Sequence, residues 1–457
     1  MLVEFAHTLN FLSPSAYKYA RKYMCLPHKE TLRRWQTVDG QAGWTAESFK
    51  ALKDDNNKRD CVVVMDGVHI KASCQWSQGL KRFVGYEDIG ISSVQDCETL
   101  ATEATVFMAV GIIRAWKLPL AYFLTKGSMS GDQQSNLLRE ATCRLADVGV
   151  QVRTVVFDGA PGNIATVNKL GAQLPDTPFF NHPSTAFAGA VIWTVVDSPH
   201  MLKLSRNCLA THALVDSRGD VISWDHITGL LALQQSEGVK FANKLSPAHV
   251  TEWKKRKMKV KLAAQVMSTS VADALQLLMD IQLPEFQSSS ATIRFIRMVD
   301  KVFDKLNSRS PFIIGSKQAI TRNGIDEDER FFKEVEKELR ALRLFDGQTV
   351  ITSKSKCFVI GFITTMRATI GLARELFQQF ATHELWYFIP YRLCQDALEH
   401  FFGDIRARNG WCNNPTALQF MFSYRALLSN RFHLQGLSGG RNCIELVDDG
   451  DDVRSTS

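Results

Sequence analysis

Two short runs of β-branched residues, each closing on Asp-Gly, constrain this chain more than any other feature. They are Val62-Val63-Val64-Met65-Asp66-Gly67, and Val152 to Phe157 followed by Asp158-Gly159. Four or more consecutive apolar residues of this kind favour a strand. An Asp directly after such a run projects from the carboxyl edge of the sheet, where α/β folds place their sites. Phe83 to Tyr86 and Val106 to Val110 read as further strands of the same sheet. Between Val110 and Val152, Gln133 to Val148 carries Leu and Ala at helical spacing, so the strand, helix, strand order predicts an α/β core. A single Asp-Gly is most simply a turn. Two at strand ends of one sheet are harder to dismiss and make a candidate carboxylate site.

Around that core the chain divides by composition. Residues 1–53 carry apolar residues at helical spacing, with a helix start at Leu26-Pro27-His28-Lys29-Glu30, and read as a helix-turn-helix-like module. The polar stretch Lys53 to Asp60 is the expected boundary. Residues 60–190 form the first part of the core and 191–390 a helical insertion, with helices expected at Ser268–Leu278, Ala291–Leu306 and Glu327–Leu342. Residues 391–435 return to the core, and 436–457, with Asp448, Asp449, Asp451 and Asp452, read as a disordered acidic tail. An apolar fraction of 45% with 28 Phe excludes a disordered, collagen-like or coiled-coil chain. The ten cysteines include no pair at two-residue spacing and read as free intracellular thiols. Neither a signal peptide nor an apolar run near the roughly 18 residues of a membrane span is expected, which predicts a soluble chain without a membrane partner.

A third acidic candidate lies in Gln395-Asp396-Ala397-Leu398-Glu399-His400-Phe401-Phe402. On a helix Asp396 and Glu399 share one face, while Leu398, Phe401 and Phe402 dock on a core. Three converging carboxylates repel one another unless divalent cations neutralise them, and Mg²⁺ suits hard oxygen donors. Two such ions about 3.5 to 4 Å apart support phosphoryl transfer. No G-x-x-x-x-G-K-[ST] occurs, which excludes an ordinary P-loop. The net charge of +7 permits a nucleic-acid partner. Lys254-Lys255-Arg256-Lys257-x-Lys259-x-Lys261 is one candidate for DNA contact, a solvated helical face being the alternative, and Arg33 and Arg34 are another.

Ten ordered blocks across about residues 15–432 resemble the P-element-type transposases, the group that includes THAP-domain-containing vertebrate relatives. They are LPHKETLRRW, MDGVHIK, FVGYEDIG, GIIRAWKLPLAYFLTKG, VVFDGAPGN, VVDSPHMLKLSRN, FANKLSPAHV, KVKLAAQVMS, FDKLNSRS and QDALEHFFGDIRARNGWCNNPTALQF. The resemblance implies an α/β, ribonuclease-H-like catalytic core interrupted by a large all-α GTP-binding insertion. It implies Asp66, Asp158 and Glu399 as the catalytic, metal-holding acids. It further implies that GTP, with its Mg²⁺, is bound through Asp197, Lys203, Phe303, Asp304, Asn307 and Asp396. His200, between Pro199 and Met201, reads as a structural hydrogen-bonding histidine. The implied activity is DDE-type DNA transposition, Mg²⁺-dependent cleavage and strand transfer on double-stranded DNA by a nuclear homo-oligomer. Two departures leave an alternative open, that of a domesticated, catalytically silent DNA- or GTP-binding regulator. The spacing of the zinc-coordinating THAP domain is absent, which would suit a truncated product or a different targeting device. The family's Asp-Glu-Met is also replaced by Asp66-Gly67-Val68.

Overall fold

The computed structural model describes residues 2–35, 40–55, 58–90, 99–238 and 240–437. The chain forms two compact units, one from residues 1–152, 182–189 and 395–457, the other from 153–181 and 190–394.

The first unit opens with three short helices, α1 (Leu2–Leu12), α2 (Pro14–Ala20) and α3 (Lys29–Trp35). Their small core is Ala6, Tyr17, Leu26 and Leu32. Ser13 caps α2 by accepting from the Ala16 amide, and the Tyr17 hydroxyl donates to the Pro27 carbonyl at 2.8 Å, which closes the turn before α3. The side chains of Arg33 and Arg34 lie outside the described set, as do residues 438–457 of the expected acidic tail.

Strands β1 (Gly43–Trp44), β2 (Asp60–His69), β5 (Glu103–Gly111) and β6 (Lys117–Thr125) form an antiparallel run in the order β1-β6-β5-β2, while β3 (Gln75–Ser77) and β4 (Arg82–Val84) pair separately as a hairpin. The Phe83 run is therefore no part of the main sheet. It carries exposed Phe83 against exposed Trp76, rings 5.1 Å apart, and of its strand residues Ser77 and Val84 alone are buried. The VVVM run of β2 and the facing Val106 to Ala109 of β5 are fully buried, as sequence predicts for a strand covered on both sides. Helix α4 (Ala46–Lys53) packs near β6, and α5 (Gly131–Asp147) starts with a Ser130/Gln133 capping box and buries Leu138, Ala141 and Leu145.

The division between the units falls within β7 (Gln151–Phe157). In the second unit β7 lies parallel to β9 (Val191–Val196), which pairs antiparallel with β8 (Phe179–Asn181). Helix α6 (Pro161–Leu170) follows β7, and α7 (Ser198–Thr211) follows β9. Beyond them come α8 (Asp225–Glu237), α9 (Pro247–Val250), α10 (Val260–Val266), α11 (Thr269–Asp280), α12 (Ser290–Leu306), α13 (Ile325–Ala341) and α14 (Cys357–Gln379). The insertion is predominantly helical, with short strands such as Leu214–Val215, Val221–Ile222 and Arg343–Leu344 forming one small antiparallel sheet.

Helix α14 corrects the expectation that no apolar run approaches span length. Both Val260–Asp280 and Cys357–Gln379 have that length and composition. Most of α14 is buried against β9 and α7, where Thr365 Oγ1 accepts from the Val196 amide and donates to its carbonyl, so its apolar surface is covered by protein. The chain then re-enters the first unit as α15 (Asp396–Arg408) and α16 (Ala417–Leu437).

Candidate functional site

In the first unit Asp66 does not end its strand. β2 stays paired with β5 through His69↔Glu103, and Asp66 faces Val106 within the ladder. What changes at Asp66 is burial: residues 60–65 are buried, Asp66 is half-buried and Gly67 is exposed. Its Oδ1 accepts from the Gly67 amide at 2.8 Å. A Cβ at Gly67 would meet Glu103 Oε1 at 2.2 Å, so the Glu103 side chain lies directly beside this position and would have to swing away to admit one. A carboxylate from β5 thus occupies the space beside position 67.

Glu399 lies in the first turn of α15 with Asp396. Acidic side chains there are favoured by the helix dipole, and Leu398, Phe401, Phe402 and Ile405 are buried as their spacing predicts. Gln395 caps the helix, and its side-chain amide donates to the Met65 carbonyl at 2.9 Å. The first turn that carries Glu399 is therefore tied to the residue that precedes Asp66.

In the second unit Asp158 does follow its strand directly. Its Oδ1 accepts from the Ala160 amide at 3.0 Å and from Asn163 Nδ2, which fixes the carboxylate at the start of α6. The parallel neighbour β9 ends at Asp197, whose amide donates to the Phe157 carbonyl at 2.9 Å and whose Oδ2 accepts from the His200 amide as the cap of α7. Both acids therefore stand at one sheet edge, as expected for a parallel pair. His200 and Lys203 follow on α7; burial and Lys203's charge hold the His200 imidazole below its ordinary pKa against a weaker upward pull from Asp158. Cys357 donates to the Gly159 carbonyl at 3.1 Å, and burial beside the Asp158 carboxylate pushes its thiol up to about 11.

The six nucleotide candidates are distributed among three places. Asp197 and Lys203 stand on α7 near Asp158, Phe303, Asp304 and Asn307 close α12, and Asp396 belongs to the first unit. Asp304 accepts from Ser316 Oγ at 3.1 Å with Lys317 Nζ 4.0 Å away, while burial and neighbouring Asp300 raise its pKa above the usual carboxylate range. A cavity of about 430 Å³ in the same unit lies elsewhere, lined by Asp216, Ile222, Arg294, Phe295, Phe331 and Glu338 among others. Arg294 is committed there to Asp216 and Asp220, at 2.6 and 2.7 Å.

The chemistry of Asp66, Asp158 and Glu399 suits a hard dication. Among the described residues no group of three or more His, Cys, Asp or Glu side chains stands close enough to hold one.

The basic run is a short 3₁₀ turn, Trp253–Arg256, leading to α10 rather than a helical face. Lys254, Lys255, Lys257, Lys259 and Lys261 are exposed, Arg256 pairs with Glu252, and the fully buried Arg206 anchors the turn through the Lys257 carbonyl at 3.3 Å. If the run tracks a phosphate backbone, replacing the five lysines by Ala should make the salt dependence of DNA affinity shallower by roughly 2 to 4 in log–log slope. Binding titrations at several salt concentrations check this, and an unchanged slope would place the contact elsewhere.

With this geometry, comparison with known families gives the class. Residues 40–171 match "TNP-like, RNase H N-terminal domain", 199–319 "TNP-like, GTP-binding insertion domain", 391–425 "TNP-like, RNase H C-terminal domain", and 1–35 "Transposable element P transposase-like, HTH domain". The chain belongs to the P-element-type transposase family. It is 28% identical over 434 residues to the DNA transposase THAP9 of Homo sapiens, covering 92% of this chain and 47% of that protein. It is 25% identical over 445 residues to the Transposable element P transposase of Drosophila melanogaster, covering 95% and 54%. The chain thus spans about half the length of these relatives. The solved Drosophila P element transposase strand transfer complex shares the fold, with a TM-score of 0.80, 24% identity, and 94% and 91% coverage.

Sequence reasoning passed over Gln395 and Asn163. Both stand inside quoted blocks, beside Asp396 and five residues after Asp158, so a polar residue flanking an acidic motif was the available signal.

Proposed function

We propose that this chain cuts and joins DNA strands as a DDE-type transposase, with Asp66, Asp158 and Glu399 as metal-holding acids and GTP as a bound cofactor. The observation that supports this most is the docking of Glu399's helix onto Asp66's strand through Gln395 and Met65. Bound Mg²⁺ would supply charge neutralisation at the phosphate and an activated oxygen nucleophile. The chain's own residues prepare for it. Asn163 and the Ala160 amide engage only Oδ1 of Asp158, so Oδ2 keeps its acceptor capacity, and the half-buried Asp66 and exposed Glu399 leave room for a phosphate to approach. Water attack at a transposon end and attack of the freed 3′-hydroxyl on target DNA are the same in-line displacement. Two DNA ends in one assembly call for a homo-oligomer, and a genomic substrate places the protein in the nucleus.

For GTP, Lys203 would neutralise phosphate charge, Phe303 would stack on the base, and Asp304 would accept from the guanine N1 and N2 donors, with Asp197, Asn307 and Asp396 completing the set. Adenine lacks that donor pair, a mismatch of a few kcal/mol through unpaired polar groups. Asp304→Asn should weaken GTP binding and relax the preference over ATP. Because the pKa of Asp304 is raised, its carboxylate is lost on acidification sooner than an ordinary aspartate's, and GTP affinity should fall with it. Competition between GTP and ATP for the purified chain checks both. Equal binding of the two would leave the insertion without a base-reading role. For the cutting reaction, the test is incubation with Mg²⁺, GTP and duplexes carrying candidate terminal inverted repeats. DNA bound but never cut would favour the silent, regulatory reading.

A further inference from the structure

We propose that Gln395 is a positioning residue that sets the placement of Glu399 relative to Asp66, an inference that rests on the metal-site reading above. Gln395 is 4% exposed, so its amide was taken out of water and needs partners. Its side chain reaches the segment of one acid and its backbone belongs to the helix turn of the other. The side-chain Nε2 donates to the carbonyl of Met65, the residue before Asp66, at 2.9 Å. The backbone carbonyl accepts from the Leu398 amide at 2.9 Å and from the Glu399 amide itself at 3.0 Å. One residue therefore links the two acid-bearing segments by hydrogen bonds. Met65 is held from another side as well, by Gln134 Nε2 to its sulfur at 3.5 Å, so the strand end of the link is itself fixed. Residues that orient metal ligands in this manner typically change metal affinity 10- to 100-fold when lost.

The test uses the full chain with Fe²⁺ in place of Mg²⁺, peroxide and ascorbate, mapping where the polypeptide is cut by hydroxyl radicals. In the parent, cuts are expected near both Asp66 and Glu399. In Gln395→Met, which keeps the volume and loses the donor, the Fe²⁺ concentration needed for cutting should rise about tenfold and the cuts near Glu399 should weaken relative to those near Asp66. Gln395→Asn, one methylene too short, should behave alike. Thermal melting separates a folding defect from a positioning one. Unchanged cutting in folded variants would overturn the positioning role alone. A parent cut at neither segment would overturn the metal-site reading and this inference together. Loss of the cooperative melt in both variants would make Gln395 a purely structural residue, which also overturns it.

Discussion

Replacing Asp66 by Asn is expected to lower DNA strand cleavage by roughly a thousandfold or more, about 4 kcal/mol of barrier, while DNA affinity holds. The amide matches the carboxylate in shape and can still face the Gly67 amide through its oxygen, so the β2 ladder with β5 has no reason to change. What it loses is the negative charge that a hard dication needs. Glu399→Gln should cost a similar amount, and the double variant little more than either single one, because groups that act as a unit are not additive. Single-turnover cleavage assays beside DNA-binding titrations check the split. Equal activity of Asp66→Asn and parent would remove this residue from the mechanism.

The second large effect concerns stability and sits far from the acids. Arg322 donates to three backbone carbonyls, those of Phe377, Phe380 at 2.6 Å and Leu385 at 3.1 Å, and its guanidinium lies 5.2 Å from the Phe377 ring centre. These carbonyls lie at and just past the end of α14, where helix geometry leaves acceptors without intrahelical partners. Arg322→Met keeps much of the apolar stem but strands those acceptors. A loss of about 3–5 kcal/mol is expected from bonds to a charged donor, or a melting temperature lower by roughly 6–15 °C. Arg322→Lys should recover only part, since an ammonium cannot reproduce the planar fork. Thermal melts of the three proteins check the order, and a Met variant as stable as the parent would show that water serves these carbonyls equally well.

How much of this was legible in the sequence depends on the range of the interaction concerned. The Val62–Met65 and Val155–Phe157 runs announce their strands because a doubly covered strand is marked by local apolar residues, although β7 also buries Arg153 and Thr154. β6 does not, since Pro119 breaks the pattern and sits at the irregularity in its pairing with β5. β9 falls at the point where composition turns helical, and only its pairing with β7 identifies Val191–Val196 as a strand of the sheet. The three acids proposed for the site stand out by motif. Gln395 could not be assigned a role, because its partner Met65 lies 330 residues away in the chain, and Glu103 enters the site region only through the ladder that sets it over Gly67. Arg322 likewise reads as an ordinary surface cation until α14 ends beside it.

The joining step tests the central claim most directly, because it bypasses end recognition and the first cut. A precut duplex with a free 3′-hydroxyl is offered to the parent together with a target plasmid, Mg²⁺ and GTP. The expected product is DNA covalently joined to the plasmid, formed by the parent and absent with Asp66→Asn, Asp158→Asn and Glu399→Gln. Joining that persists in any of these three variants, or a parent that binds both DNAs and never joins them, would contradict the account.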